Sequence, residues 1–218
     1  MTAAARWLIV AFVLLGLGAS AASTYVHAQL LGDPTYVSFC DVNDTVSCTQ
    51  VYLSRYGSLA GVPVAYLGLV WFAFAGALLL AAQRGSAMLR EHLPAYLFAL
   101  STVGLAVVLY LGYASFAVLG AVCMLCVTVY VAVVGLFVVS GAAASIPMSQ
   151  VPGRALADLR SLKSSPVGLG LAATFVVASG LGAAWLGEPT GQTSTVAPAA
   201  ALSAVEREEF VRWWSAQP

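Results

Sequence analysis

The chain has 218 residues, 61% of them hydrophobic and only 8% charged, and its nine Lys and Arg balance nine Asp and Glu. Soluble domains carry roughly 45–50% apolar and about 25% charged residues, so this chain cannot cover itself with charge, and disordered, collagen-like and coiled-coil readings fail with it. The balanced charge, with no basic run, also excludes a nucleic-acid binder. The chain reads as an integral membrane protein.

Five apolar stretches free of Asp, Glu, Lys and Arg follow in chain order: Trp7–Leu31, Val62–Ala82, Ala95–Leu119, Ala121–Gly141 and Val167–Leu186. Each is near the length of about 20 residues that a helix needs to cross the hydrocarbon. The alternating pattern of a transmembrane barrel is absent. In the first stretch, Arg6, the apolar run and Ala19-Ser20-Ala21 resemble a secretory signal. The run continues to Leu31, however, so it is read as a retained span. The Gly120 break predicts a tight antiparallel pair between the third and fourth spans.

Orientation follows the bias of Lys and Arg. Arg6, Arg84, Arg90, Arg154, Arg160 and Lys163 fall on one side, and only Arg55, Arg207 and Arg212 on the other. The N-terminus is therefore expected in the cytoplasm, with the loop 32–61 and the C-terminus outside.

All four cysteines then lie at the outer face, where disulfides persist. Cys40 and Cys48 are spaced C-x7-C in the first outer loop, and Cys123-Met124-Leu125-Cys126 is a C-x-x-C at the mouth of the fourth span. Four cysteines allow three pairings, and the spacing does not choose among them. Static staples are one reading. A zinc site fits poorly, because no His or acid lies close to the C-x-x-C, and covalent haem would need a His where Val127 stands. In the redox reading, residues three apart share a helical face, so Cys123 and Cys126 can close a disulfide where a lipid-soluble acceptor reaches them. The loop pair is placed for a water-soluble thiol protein, and exchange between the pairs moves two electrons.

The run Cys40-Asp41-Val42-Asn43-Asp44-Thr45-Val46-Ser47-Cys48, followed by Val51-Tyr52-Leu53-Ser54-Arg55-Tyr56-Gly57, resembles the loop of the vitamin K epoxide reductase family. Cys123-Met124-Leu125-Cys126-Val127-Thr128-Val129-Tyr130 is similar to that family's redox helix, and Gly61-Val62-Pro63-Val64-Ala65-Tyr66-Leu67-Gly68 to the second-helix entry of its bacterial members. The resemblance covers roughly residues 7 to 141 and implies roles. Cys126 is the cysteine beside the quinone and Cys123 its partner. Cys48 exchanges with Cys123, and Cys40 faces the external thiol. Ser54, Tyr130, Tyr56, Val64 and Ala65 stand at positions associated with the quinone. Vertebrate members carry tryptophan where Tyr56 stands, which implies a different packing of the loop; they carry an Asn-Ser pair where Val64-Ala65 stand, and the missing amide donor favours a plain respiratory quinone over vitamin K epoxide.

His27 and His92 read as lone histidines rather than ligands, near the outer end of the first span and in a cytoplasmic loop respectively. Gly76, Gly104, Gly112 and Gly120 read as helix contacts. Asp33, Asp41 and Asp44 read as a solvated loop, whose charge would raise the pKa of a nearby Cys40 while Arg55 opposed it.

The expected architecture is all-α and membrane-embedded: a four-helix transmembrane bundle over residues 1–141 with a redox-active outer loop 32–61, then a cytoplasmic connection 142–166. A fifth transmembrane helix follows at 167–187, and then an extracytoplasmic linker and short helix at 188–218. Bacterial members are often fused to a thioredoxin-like domain at this place, so the chain is expected to lead to such a domain or to meet a separate donor.

The expected activity is oxidation of that thioredoxin-like partner, with electrons passed to a membrane quinone of the menaquinone, ubiquinone or vitamin K type. Disulfide bond formation would take place at the bacterial inner membrane, with no metal and no nucleic acid. The alternatives are a vitamin K quinone or epoxide reductase that uses thiols as its electron source, and a non-catalytic membrane scaffold with structural disulfides.

Overall fold

The computed structural model describes residues 2–33, 35–43, 45–59, 61–84, 87–144, 176–177 and 179–184. Four helices are long and apolar enough to cross a membrane, and the protein is an all-α, multi-pass membrane protein. They are α1 (Ala3–Gly32), α3 (Val64–Arg84), α4 (Ala87–Tyr113) and α5 (Met124–Ala143); the loop between α1 and α3 adds the short helix α2 (Cys48–Tyr52) and the strands β1 (Ser58–Leu59) and β2 (Val62–Pro63).

α1 starts where the Thr2 hydroxyl accepts a hydrogen bond from the Ala5 N–H, satisfying one of the amides a helix start leaves unpaired. It then packs against both α3 and α5, and α5 packs against α4. Ile9, Val13, Phe72, Leu97, Val133 and Leu136 fill the shared core. Close approach depends on Gly16, where any Cβ would collide with the Phe72 ring. Leu14, Val107, Val131 and Val138 point outward, as they must where lipid is the solvent.

Helix ends depart from the apolar runs for identifiable reasons. Charge marks where hydrocarbon stops, not where hydrogen bonding stops. So α4 begins at Ala87 rather than Ala95 and takes Pro94 inside the helix. His92, expected in a loop, is buried in the opening turns of α4. α3 begins at Val64 because Val62 and Pro63 are spent in an antiparallel pairing, Ser58 opposite Pro63 and Leu59 opposite Val62.

After α4 the chain winds wider, into a π-helical turn over Ala114–Leu119, and closes on Gly120 at φ 64°, a left-handed conformation suited to glycine. Gly120 therefore serves the turn rather than a helix contact, whereas Gly104 lies directly against the Trp71 ring. Ala121–Cys123 run extended, and α5 begins at Met124.

The expected fifth span 167–187 falls outside the described residues except for 176–177 and 179–184, the connection 142–166 except for 142–144, and the segment 188–218 entirely. Within them, the Ser179 carbonyl accepts a hydrogen bond from the Tyr66 hydroxyl at 2.9 Å.

Candidate functional site

The loop between α1 and α3 is fastened to the start of α5 by backbone pairing. Val46 bridges Val122; the Ser47 N–H donates to the Val122 carbonyl at 3.1 Å, and the Val122 N–H donates to the Thr45 carbonyl at 2.7 Å. Asp41 organises the loop from within, accepting from the Ser47 hydroxyl at 3.0 Å, the Thr49 N–H at 3.1 Å and the Thr49 hydroxyl. Partial burial works against its charge, but these donors prevail and hold the carboxyl below the usual carboxylate range. The Ser47 hydroxyl caps α2 by accepting from the Gln50 N–H. This capping delivers Cys48, fully buried, to the centre of the site.

Cys40 and Cys48 are joined in a disulfide with Cα atoms 5.8 Å apart, within the range that bridged cysteines occupy. Cys123 and Cys126 are free thiols. The Cys123 sulfur lies 3.1 Å from the Cys48 sulfur. That is closer than two sulfurs rest without a specific interaction, and it puts a thiol against a disulfide, the pairing that exchange requires.

Cys123 does not sit within the helix, as a shared helical face would require. It caps α5 just before the span begins, its sulfur accepting from the Cys126 N–H at 3.3 Å. The C-x-x-C therefore closes through an N-cap geometry, not an i, i+3 pair on a helix surface. Hydrogen bonding with the Cys126 thiol holds the Cys123 thiol below the usual cysteine range; burial opposes this, while the Tyr52 hydroxyl and the backbone amides of Cys126 and Leu125 support it.

Tyr52 is a site residue that the sequence reading passed over. Its hydroxyl lies 3.3 Å from the Cys123 sulfur, and its ring stacks on His27, with centroids 5.4 Å apart and planes 11° apart. Burial pushes the Tyr52 phenol up, so it remains a donor. The available signal was spacing, since Tyr52 follows Cys48 by four residues and so shares its helical face.

Cys126 opens into a cavity at the cysteine-bearing end of the bundle, with about 600 Å³ of space counting its open mouth. Tyr52, Tyr56, Val64, Ala65 and Tyr130 share its lining. Val64 and Ala65 bring no side-chain donor. The Tyr56 hydroxyl accepts from Arg55 at 2.6 Å, with the guanidinium above its ring. Ser54 stands outside the lining: its hydroxyl donates to the Val51 carbonyl at 2.7 Å and accepts from the Tyr56 N–H at 3.2 Å, closing the turn after α2. Cys40 is buried, with the Ser38 hydroxyl 3.0 Å from its sulfur.

A pH experiment reads the Cys123 environment. Closing the Cys123–Cys126 disulfide again needs the Cys123 thiolate, so turnover should rise with pH through the lowered pKa of that thiol and then level off. Tyr52→Phe removes one donor, which should move this rise to higher pH and slow turnover about 3–10-fold at pH 7. An acid limb that does not move would remove Tyr52 from the exchange.

The sequence model of the vitamin K epoxide reductase family matches residues 7–141, which span α1 to α5. Vitamin K epoxide reductase complex subunit 1 of Mus musculus is 32% identical over 136 residues, covering 60% of this chain and 84% of the mouse protein. The protein of the same name from Rattus norvegicus is 31% identical over 136 residues, with the same coverage.

Proposed function

The chain belongs to the vitamin K epoxide reductase family, and from that membership we propose that it oxidises the dithiol of a thioredoxin-like partner and delivers the electrons to a membrane quinone. The observation that carries this reading is the 3.1 Å separation of the Cys48 and Cys123 sulfurs, with Cys126 on the far side facing a cavity.

The steps balance. The partner's dithiol reduces Cys40–Cys48. The Cys48 thiolate attacks Cys123 in a Cys123–Cys126 disulfide, forming Cys48–Cys123, and Cys40 then displaces Cys123. The loop disulfide is restored and two electrons rest on Cys123 and Cys126. The quinone takes those electrons and two protons, leaving as a quinol while Cys123–Cys126 closes again. The thiol state observed, with the loop pair joined and the C-x-x-C open, is the state after this handover and before quinone reduction.

On this reading residues 1–141 are the catalytic unit, and the fifth span 167–187 leads the chain to the partner's side. The protein works in a bacterial cytoplasmic membrane with its cysteines outside. Reduction of vitamin K or its epoxide, the chemistry named by the mammalian relatives, is the second reading. Val64 and Ala65, which add only apolar surface to the cavity, favour the plain quinone.

Purified protein supplied with a dithiol donor and a quinone should bleach the quinone in a cysteine-dependent way. No activity with either a benzoquinone or a naphthoquinone would end this proposal. Topology is tested separately. Cysteines introduced at 84–90 or 154–163 should resist an impermeant thiol reagent in intact cells, and one introduced at Thr195 should react. The reverse pattern would put the native cysteines on the wrong side for a secreted or periplasmic partner.

A further inference from the structure

Hydroxyls on these membrane helices mostly bond back to their own backbone. Thr24 donates to the Ser20 carbonyl at 2.8 Å, Thr102 to the Phe98 carbonyl at 2.7 Å, and Ser101 to the same carbonyl at 3.1 Å. Two do not. The hydroxyl oxygens of Ser20 and Ser23 lack a hydrogen bond of ordinary geometry among the described residues, Ser23 having only the Tyr52 phenol beside it, although the residues are only 1% and 3% exposed. A buried hydroxyl left unpaired is costly, and more so where no water competes.

Both residues line the cavity that Cys126 faces, one turn apart on the same face of α1. Of the other polar groups in that lining, Ser115 donates to the Ala121 carbonyl, Tyr52 meets Cys123 and Tyr56 accepts from Arg55, while the Tyr130 hydroxyl remains as a further group on the cavity wall. Opposite Ser20 stands Gly68, where a Cβ would come within 3.2 Å of the Ser20 hydroxyl. Glycine there keeps that hydroxyl uncrowded and open to a ligand.

We infer that Ser20 and Ser23 form an oxygen-binding subsite, a pair of hydroxyl donors that hold one carbonyl oxygen of a lipid-soluble quinone beside Cys126. The inference rests on the quinone-reductase reading above and assigns it a pair of contacts. A quinone carbonyl has two lone pairs and can take both donors. A hydroxyl also accepts, so the same two side chains can hold the quinol oxygen after reduction without any backbone movement. An apolar cavity with two convergent polar groups is the usual form of a small-molecule site.

The test uses the full chain in detergent with 2-methyl-1,4-naphthoquinone as probe. Without quinone, the Ser20→Ala/Ser23→Ala variant should melt at or above the wild-type temperature, because two unpaired buried hydroxyls are gone. The probe should raise the wild-type melting temperature and lose most of that effect on the variant. In turnover, the KM for the quinone should rise about 10–100-fold with kcat changed much less, the signature of lost uniform binding. Gly68→Ala, which crowds Ser20 from the opposite wall, should weaken the probe in the same direction and serves if the double variant does not fold. A double variant that binds the probe as wild type does would overturn the subsite and leave the quinone reading standing. No probe-induced shift in the wild type would overturn both.

Discussion

Replacing Cys126 with alanine is expected to reduce dithiol-driven quinone reduction by on the order of 10³-fold or more, to near the rate without protein. Among the residues lining the cavity, Cys126 supplies the only thiol; Cys123 is buried behind it and does not reach the lining. Without Cys126 the quinone has no sulfur to react with, and Cys123 has no partner with which to close a disulfide. The fold should be little affected, because Cys126 is only half-buried and alanine removes one sulfur beside an existing cavity. A melting temperature close to wild type, with the loop disulfide still formed, would separate lost chemistry from lost structure. Wild-type activity in this variant would end the enzymatic reading and leave the cysteines as staples.

The spans could be read from the sequence because hydrocarbon imposes one strong rule, about 20 apolar residues without charge. Their ends could not, because capping and pairing set them: Val62 and Pro63 leave α3 for a two-residue strand, and Cys123 leaves α5 to cap it. The loop between α1 and α3 was recognisable by its cysteines and the run that follows them. Its position depends on Val46 meeting Val122, a contact between segments far apart in sequence that no local pattern encodes.

The cavity is assembled from all five α-helices, the π-helical turn and the loop after α2. Tyr56, Tyr130, Val64 and Ala65 were named through the family resemblance, whereas Ser20, Ser23 and Tyr52 were not picked out as site residues. Serines in an Ala-rich helix read as small packing residues, and only their unpaired hydroxyls set Ser20 and Ser23 apart. Ser54 shows the converse: a residue carried over by resemblance whose hydroxyl the local turn uses up.

The relay between the two pairs is the centre of this account, and trapping its intermediate tests it most directly. In a Cys40→Ala/Cys126→Ala variant, Cys48 has lost its loop partner and Cys123 its C-x-x-C partner. The two remaining cysteines lie 75 positions apart in sequence with their sulfurs 3.1 Å apart in the fold. Closing them needs little more than oxidation, since the backbone pairing of Val46 with Val122 already holds the loop down. Mass spectrometry of the digested, oxidised variant should find a peptide cross-linked through Cys48 and Cys123 in most molecules. Two free thiols under oxidising conditions, in folded protein that still binds quinone, would contradict the relay and leave the loop pair and the C-x-x-C unconnected.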